Sequence, residues 1–297
     1  MSCRLVPPRV GRALCHAAFL ALALLVAAPA RAGKPDPREI VRLVEAIRSG
    51  SMAERNRAAE RLRHLQDPTA RRLLEDMLGA HGSETRANAA WALGITRDRA
   101  ATAALLRALA DESAEVRRSA AQAVGELGGT RTIEPLGRLL DDPDRYVRAT
   151  ALKALARTAD SRALPPLLRA LRSHDLELRL VAATALGRRP EVRVRQALRD
   201  RLRGDPSSAV RFVIARALAE AADKAGFVYL GRALGADSDR AVRRQAATLL
   251  ALARDPESAA ALRRALADED EEVRTLASAA LARRAERDQA AGQRSKP

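Results

Sequence analysis

Side chains of the kinds that perform covalent chemistry are few in this sequence. The two cysteines, Cys3 and Cys15, lie within the first 32 residues, so a chain shortened there has no disulfide and no thiol nucleophile. The histidines that follow, His64, His81 and His174, stand in widely separated segments, which is not the spacing of a metal-ligand cluster. The sequence contains no glycine-rich phosphate loop and no GxSxG or HExxH motif. We therefore expect no catalytic residue, no metal and no cofactor.

A more regular pattern pairs aspartates with arginines. Asp111 precedes Arg117 by six residues, and Asp142 precedes Arg148 by the same interval. A carboxylate can form a bidentate, charge-assisted pair with a guanidinium, and such a pair offsets the unfavourable position of a cation in the first turn of a helix. We predict a ladder of such contacts, within a repeat or to the next, and the alternative is a row of arginines that binds a polyanion. The ladder residues are Asp111, Arg117, Asp142, Arg148, Asp205, Arg211, Asp237, Arg243, Asp268 and Arg274.

The arginines belong to a repeat that runs along most of the chain. The segment "SETRANAAWALG" around Arg86 resembles "AEVRRSAAQAVG" around Arg117, and the pattern recurs from Arg55 to Arg274 at steps of 31 or 32 residues. Self-similarity at this period is typical of a solenoid, in which stacked helical units bury together the apolar faces that none can bury alone.

Each unit is predicted to contain two helices, and the arginine lies in the second. Gly94, Gly125 and Gly187 fall near the ends of second helices, where we expect left-handed caps. Residues of the types that favour helix N-caps precede the second helices. They are Ser51, Gly82, Ser113, Asp144, Asp175, Ser207, Asp239 and Asp270.

Two stripes are predicted on each second helix. One, such as Val116, Ala120 and Val124, is apolar in every unit and is expected to be buried. The other varies between units and mixes basic with apolar residues, as surfaces that recognise proteins do. The alternative is that Leu180 and Phe212 are buried between units and the basic residues are solvated. The predicted binding residues are Trp91, Gln122, Lys153, Arg157, Leu180, Arg188, Phe212, Arg216 and Arg244.

The N-terminal segment has the features of a secretory signal peptide. Three arginines precede an apolar run at residues 13–28, and Ala30 and Ala32 form a small-residue cleavage site. We expect cleavage after Ala32 and export to the periplasm or cell envelope of a bacterium. The alternative is an N-terminal membrane anchor, although the run is shorter than the roughly 20 residues that a spanning helix needs. The predicted organisation is a signal peptide at 1–32, a linker at 33–37, a solenoid at 38–285 and a disordered basic tail at 286–297.

The charge of the chain is strongly positive. Lys and Arg number 53 against 37 Asp and Glu, and the leader holds four arginines and no acid, so 53 − 4 = 49 basic residues leave the exported chain at +12. A basic surface favours acidic partners, such as an acidic protein, an anionic polysaccharide or lipid headgroups at a membrane surface. Export disfavours nucleic acid as the partner.

The residues Asp111 to Gly125 follow the pattern D-x-x-x-x-V-R-x-x-A-A-x-A-L-G, with Val124 in place of the leucine. Through this pattern, the chain from Pro37 to Ala285 resembles the HEAT-repeat family, in the short form also found in phycobilisome lyases. The resemblance implies an all-α, right-handed superhelix of about eight two-helix repeats, whose second helices line a concave face that binds partners.

Many unrelated proteins share this repeat, so the resemblance alone does not assign a function. We expect a non-catalytic scaffold of the cell envelope that binds a protein along the concave face. A binder of polyanions is the first alternative. An enzyme resembling the HEAT-like lyases or glycosylases is the second, but the sequence lacks the His-Glu pairs that HEAT-like hydroxylases use to hold iron.

Overall fold

The computed structural model describes residues 35–294, with side chains through Arg287. This part of the chain contains α-helices, short 3-10 turns and loops, and no β-strand. Its sixteen α-helices form eight successive pairs, in which odd numbers mark the first helix and even numbers the second. The all-α solenoid of two-helix units is therefore confirmed. The helices are α1 Pro37–Ser49, α2 Met52–Leu65, α3 Pro68–Met77, α4 Ser83–Thr96, α5 Thr102–Ala108, α6 Ala114–Leu127, α7 Ile133–Arg138, α8 Arg145–Arg157, α9 Leu164–Ala170, α10 Leu176–Gly187, α11 Val192–Gly204, α12 Ser208–Glu220, α13 Lys224–Ala236, α14 Arg240–Leu250, α15 Pro256–Ala265 and α16 Glu271–Arg294.

The chain divides into two compact units, one ending at Ala154 and the other beginning at Leu155. In the first unit, the second helices α2, α4 and α6 pack on one another in that order. In the second unit, α10, α12, α14 and α16 do the same. Stacking between neighbours thus positions the same face of each second helix side by side within a unit.

The apolar stripe of the second helices forms the core. Val116, Ala120 and Val124 are completely buried, or nearly so, and so are Val147 and Ala151 in the next pair. Small side chains at these positions let neighbouring helices approach closely, which explains how a chain with few aromatic residues fills its interior. The predicted buried stripe is confirmed.

The prediction that glycines cap the second helices in a left-handed conformation is wrong. Gly94, Gly125 and Gly187 lie inside their helices, and the described glycines with positive φ are Gly128 and Gly129. These two follow α6 and lead into the turn before α7.

Close approach between helices explains the three glycines instead. A Cβ atom added to Gly94 would lie 2.8 Å from the Cα atom of Ala123, and one added to Gly125 would lie 2.6 Å from the Cβ atom of Ala154. Gly187 meets the next second helix in the same way. These distances are shorter than van der Waals contact, so only glycine lets the ends of adjacent second helices touch.

The last helix continues past Ala285, where a disordered tail was expected to begin, as far as Arg294. Its sequence is rich in residues of high helix propensity, which accounts for the extension. Arg287 Nη2 donates to the carbonyl oxygen of Ala251 at 2.7 Å, which anchors the extension to the end of α14. The predicted leader and the last three residues lie outside the described part of the chain. No helix within that part is long and apolar enough to cross a membrane.

Candidate interaction surface

The aspartates and arginines of the repeat form contacts that join one helix pair to the next. Arg117 Nη1 donates to the carbonyl oxygens of Asp111 and Glu112 in its own turn, at 2.9 and 3.0 Å. Its Nε and Nη2 atoms donate to the carboxylate of Asp142 in the following turn, at 2.7 and 2.9 Å. One guanidinium therefore bridges two successive helix pairs.

The aspartate of each contact is itself held in place. Asp142 Oδ1 also accepts the backbone N–H of Asp144, the residue that caps α8, at 2.9 Å. Burial raises the pKa of Asp142, but the hydrogen bonds from Arg117 and from the backbone N–H of Asp144, together with the positive charges of Arg117 and Arg148, outweigh it and the net pKa is lowered. The hydrogen bond from Arg86 likewise lowers the pKa of Asp111. Both carboxylates are thus stabilised in the charged form.

The structure pairs the carboxylates with different arginines from those six residues away. The carboxylate of Asp111 binds Arg86 of the preceding helix pair, at 2.8 Å. Only the backbone carbonyl oxygen of Asp111 accepts a hydrogen bond from Arg117. Arg86 and Arg179 were missed as ladder residues because their own turns contain Ala80 and Ser173 in place of an acid. An offset of 25 or 26 residues from arginine to aspartate would have found them. Arg179 makes one such hydrogen bond to the carboxylate of Asp205, and Arg243 makes a bidentate contact with the carboxylate of Asp268.

The other predicted ladder arginines share the contact to their own turn. Arg148, Arg211 and Arg274 each donate Nη1 to the carbonyl oxygen of the aspartate six residues earlier, at 2.8, 2.6 and 2.8 Å. In the described chain, Arg211 forms no ion pair with Asp237. The arginine side chains of the complete contacts are at most 13% exposed and are paired with carboxylates, so they do not form the open row of arginines that a polyanion would need.

In the first unit, the second helices α2, α4 and α6 line an open pocket of about 410 Å³. Two of the predicted binding residues, Trp91 on α4 and Gln122 on α6, lie on its wall. They occupy equivalent positions, five residues after the repeat arginine, so the variable stripe does face a common cavity here. The pocket is lined by Met52, Arg55, Glu84, Ala87, Asn88, Trp91, Glu115, Arg118, Ser119 and Gln122.

One wall of this pocket is an arranged polar group. Arg55 Nη1 donates to Oδ1 of Asn88 at 2.8 Å and lies 3.6 Å from Oε1 of Glu84. Asn88 Nδ2 is buried and has no hydrogen-bond partner in the described chain. A buried donor without a partner is rare in folded proteins and calls for an acceptor from water or a ligand.

The equivalent face of α10 and α12, in the second unit, contains several apolar residues. Leu180 on α10 and Phe212 on α12 are both half-buried. They are therefore neither fully open anchors nor fully buried between repeats, which were the two predictions for them. Leu176 on α10 is 45% exposed, and Val181 and Val213 are half-buried beside them in sequence. α10 packs on α12, and these five side chains of the two helices are called here the α10–α12 patch.

The other predicted binding residues differ in their surroundings. Lys153, Arg157 and Arg188 are exposed. Arg216, beside the α10–α12 patch, lies 4.0 Å from Glu220. Arg244 is held by an ion pair across to α16.

Arg244 Nε and Nη2 donate to the two carboxylate oxygens of Asp270 at 2.9 and 2.6 Å, and Nη1 lies 2.5 Å from Glu272. The hydrogen bond to Asp270 raises the pKa of Arg244 and lowers that of Asp270. Arg244 therefore contributes to the packing of α14 on α16 rather than to an open basic surface.

Residues that could carry chemistry do not converge. Within residues 35–294, no three His, Cys, Asp or Glu side chains form a group that could hold a metal ion. The pocket of the first unit contains two glutamates and no histidine, cysteine or lysine.

Comparison with known proteins gives the family and the fold. The chain aligns over 96% of its length with 99% of the Escherichia coli protein YibA, at 17% identity and a TM-score of 0.62. Human deoxyhypusine hydroxylase aligns at 22% identity over 84% of this chain and 96% of its own, with a TM-score of 0.36. The CpcE–CpcF complex of phycocyanin lyase from a Nostoc species aligns at 24% identity over 72% and 94%, with a TM-score of 0.43. At 17% identity the likeness to YibA concerns the fold alone.

A search of curated proteins gave no significant match. The sequence profile of HEAT repeats matches residues 40–125, 84–152, 133–219 and 229–293, which together cover most of the chain. The helix pairs, the stacking of second helices and this match agree, and the chain belongs to the HEAT-repeat family.

Proposed function

We propose that this chain is a non-catalytic protein-interaction scaffold of the bacterial cell envelope, and that its partner binds the α10–α12 patch. HEAT solenoids are typical of interaction scaffolds, and a stacked array offers an extended surface rather than an enclosed reaction site. The N-terminal sequence, with the features of a secretory leader, supports the location in the envelope.

The observation that carries this proposal is the exposure of apolar side chains on adjacent second helices. Leu180 and Phe212 occupy the same position of the repeat, one residue after the arginine, and neither is fully buried. Leu176 adds a side chain that is nearly half exposed. Contiguous apolar surface of this kind marks protein interaction sites, because half-buried leucine and phenylalanine side chains gain most when a partner excludes water from them.

Charged residues at the border suit a protein partner. Arg216 and Glu220 lie at the edge of the patch at a separation of 4.0 Å, and Arg188 is exposed at the end of α10. An apolar centre with a charged rim is the usual anatomy of a protein interface. The rim contains both signs, so the partner need not be strongly acidic.

Capture of a partner from bacterial envelope extract tests the proposal. The chain from residue 33 is immobilised, and bound proteins are identified by mass spectrometry at low and high salt. We expect a partner that the wild type retains at high salt and that both Leu176→Ser and Phe212→Ala lose, because the binding surface is apolar.

Val192→Ser is the matched control. Val192 is the first residue of α11, as Leu176 is of α10, and it is 74% exposed. Both substitutions remove an exposed apolar side chain from the start of a helix, but only Leu176 lies on the patch. Capture that is equal for Leu176→Ser, Phe212→Ala and Val192→Ser would exclude the patch as the binding surface.

A polyanion binder is the second candidate, and the surface of α11 supports it. Arg193 is exposed, Arg195 is half-buried, and neither side chain makes a hydrogen bond or an ion pair with the described residues. Unpaired cations of this kind favour polyanions, whose binding weakens steeply as salt rises. Loss of the captured partner at high salt, together with its loss in Arg193→Gln, would favour this candidate over the apolar patch.

A further inference from the structure

The pocket of the first unit differs in chemistry from the patch that we propose for protein binding. It is formed by the equivalent face of α2, α4 and α6, but only Met52, Ala87 and Trp91 contribute apolar side chains. Every other lining residue can donate or accept hydrogen bonds. A partner that depends on apolar anchors would find few here, so the pocket suits a more polar ligand.

The charges of the pocket cancel. The lining contains two arginines, Arg55 and Arg118, and two glutamates, Glu84 and Glu115, so its formal charge is zero in a chain whose formal charge is +16. A site for a polyanion would combine cations without acids. The ligand that matches this lining is therefore neutral overall.

Many of the hydrogen-bonding groups are unused. The four lining residues of α6, Glu115, Arg118, Ser119 and Gln122, make no side-chain hydrogen bond or ion pair within the described residues, unlike the ladder arginines nearby. Asn88 Nδ2 is buried and also lacks a partner. The pocket thus offers donors and acceptors together, which a ligand with several hydroxyl groups can satisfy because each hydroxyl both donates and accepts.

Trp91 supplies the apolar surface that such a ligand needs. It is the one tryptophan of the chain, it lies half-buried on α4, and its indole ring is large and flat. A pyranose ring presents an apolar face of C–H groups and a rim of hydroxyls. The ring can stack on the indole while planar amide, carboxylate and guanidinium groups bind adjacent hydroxyls in pairs.

From this combination we propose that the pocket is a binding site for a neutral carbohydrate. One sugar ring stacks on Trp91, and Asn88, Gln122 and Arg118 bind its hydroxyl groups. The volume of about 410 Å³ lies within the range of sites for small ligands. This site is independent of the α10–α12 patch, so either proposal can fail without the other.

The fluorescence of Trp91 tests the proposal directly, because no other tryptophan contributes to the signal. The full chain is titrated with maltotriose, cellotriose and chitotriose, each up to about 10 mM, where weak binding is still measurable. Trigalacturonate and the peptide Gly-Phe-Gly serve as anionic and peptidic probes. We expect a saturable change with at least one neutral trisaccharide that is insensitive to salt.

Variants locate the binding. Gln122→Ala and Arg118→Gln alter exposed side chains and should each weaken the trisaccharide by about fivefold, the effect of losing one hydrogen bond. Phe212→Ala, which changes the patch of the other unit, should leave the titration unchanged. The proposal is overturned if none of the three trisaccharides gives a saturable change, if only trigalacturonate or the peptide does, or if Gln122→Ala and Arg118→Gln bind as the wild type does.

Discussion

The guanidinium of Arg117 binds the carboxylate of Asp142 through two hydrogen bonds of 2.7 and 2.9 Å, across 25 residues of sequence. Arg117 also holds two carbonyl oxygens of its own turn, and Asp142 also holds the N–H of Asp144. Each partner is therefore tied to its own helix pair before it contacts the other. A contact built this way sets the distance between successive turns and repeats wherever the same residues recur.

Asp142→Asn should reduce the free energy of unfolding by about 3 kcal/mol, because the amide keeps the shape of the buried side chain but leaves Arg117, which is 13% exposed, without a counter-charge. Chemical denaturation followed by circular dichroism measures this loss. Arg138→Gln is the control, since its ion pair with Glu134 lies on the surface with both side chains about three-quarters exposed. Surface pairs contribute little, so this variant should unfold as the wild type does. Equal stability of both variants would contradict a structural role for the contact.

The same contacts make stability depend on pH. The pKa values of Asp111, Asp142 and Asp205 are lower in the folded chain than their usual value near about 4, which an unfolded chain would show. Their contribution is therefore complete above the unfolded pKa and is lost as pH falls through the folded one. We expect denaturation midpoints that are level near neutral pH and fall below about pH 4.

Asp142→Asn should flatten this dependence on the acidic side, because one of the titrating groups is removed. Asp200→Asn, at a side chain that is 57% exposed, provides the matched comparison. A pH dependence that is the same in both variants would show that Asp142 does not couple protonation to folding.

The period of the arginine-containing pattern was enough to predict the fold. It places Val116, Ala120 and Val124 on one buried face, and the structure agrees because stacked helices must bury the stripe that is apolar in every unit. The side-chain partners could not be predicted in the same way. An arginine can reach its own turn and the next, and only the stacked structure shows that the carboxylate of Asp142 binds Arg117 whereas its backbone carbonyl accepts from Arg148.

The pocket shows a second limit of the sequence. Trp91 and Gln122 were placed on the variable stripe, but the pocket that they line also takes residues from α2, such as Met52 and Arg55, which the stripe did not include. The sequence does not predict that Arg55 donates a hydrogen bond to Asn88, nor that Asn88 Nδ2 has no partner among the described residues. Such features arise from three helices together, and no single helix carries them.

The glycines of the second helices should tolerate no side chain. Gly125→Ala places a methyl group 2.6 Å from the Cβ atom of Ala154, and the helices must separate to accept it. We expect a loss of about 2 kcal/mol in the free energy of unfolding, as is typical when a packed interior is overfilled. Urea denaturation of the purified variant measures the change.

Gly235→Ala is the matched control, because Gly235 lies in α13 with no atom within 4 Å of the added methyl group. Alanine is the better helix former, so this variant should gain about 0.5 kcal/mol. If Gly125→Ala also gained stability, the glycine would serve no close approach, and the contact between α6 and α8 would have to be looser than the structure shows.

Arg244 and Arg216 separate a structural role from a binding role on the same stripe. Arg244 is bound by two hydrogen bonds to Asp270 and lies 2.5 Å from Glu272, whereas Arg216 has one carboxylate at 4.0 Å. Arg244→Gln should lower the melting temperature of the chain and leave partner capture unchanged, because its guanidinium joins α14 to α16. Arg216→Gln should keep the wild-type melting temperature and weaken capture, because this side chain borders the α10–α12 patch. Thermal melts and partner capture, measured for both variants under the same conditions, test this prediction. If Arg244→Gln weakened capture and Arg216→Gln lowered the melting temperature, the binding surface would lie on α14 and not on α12.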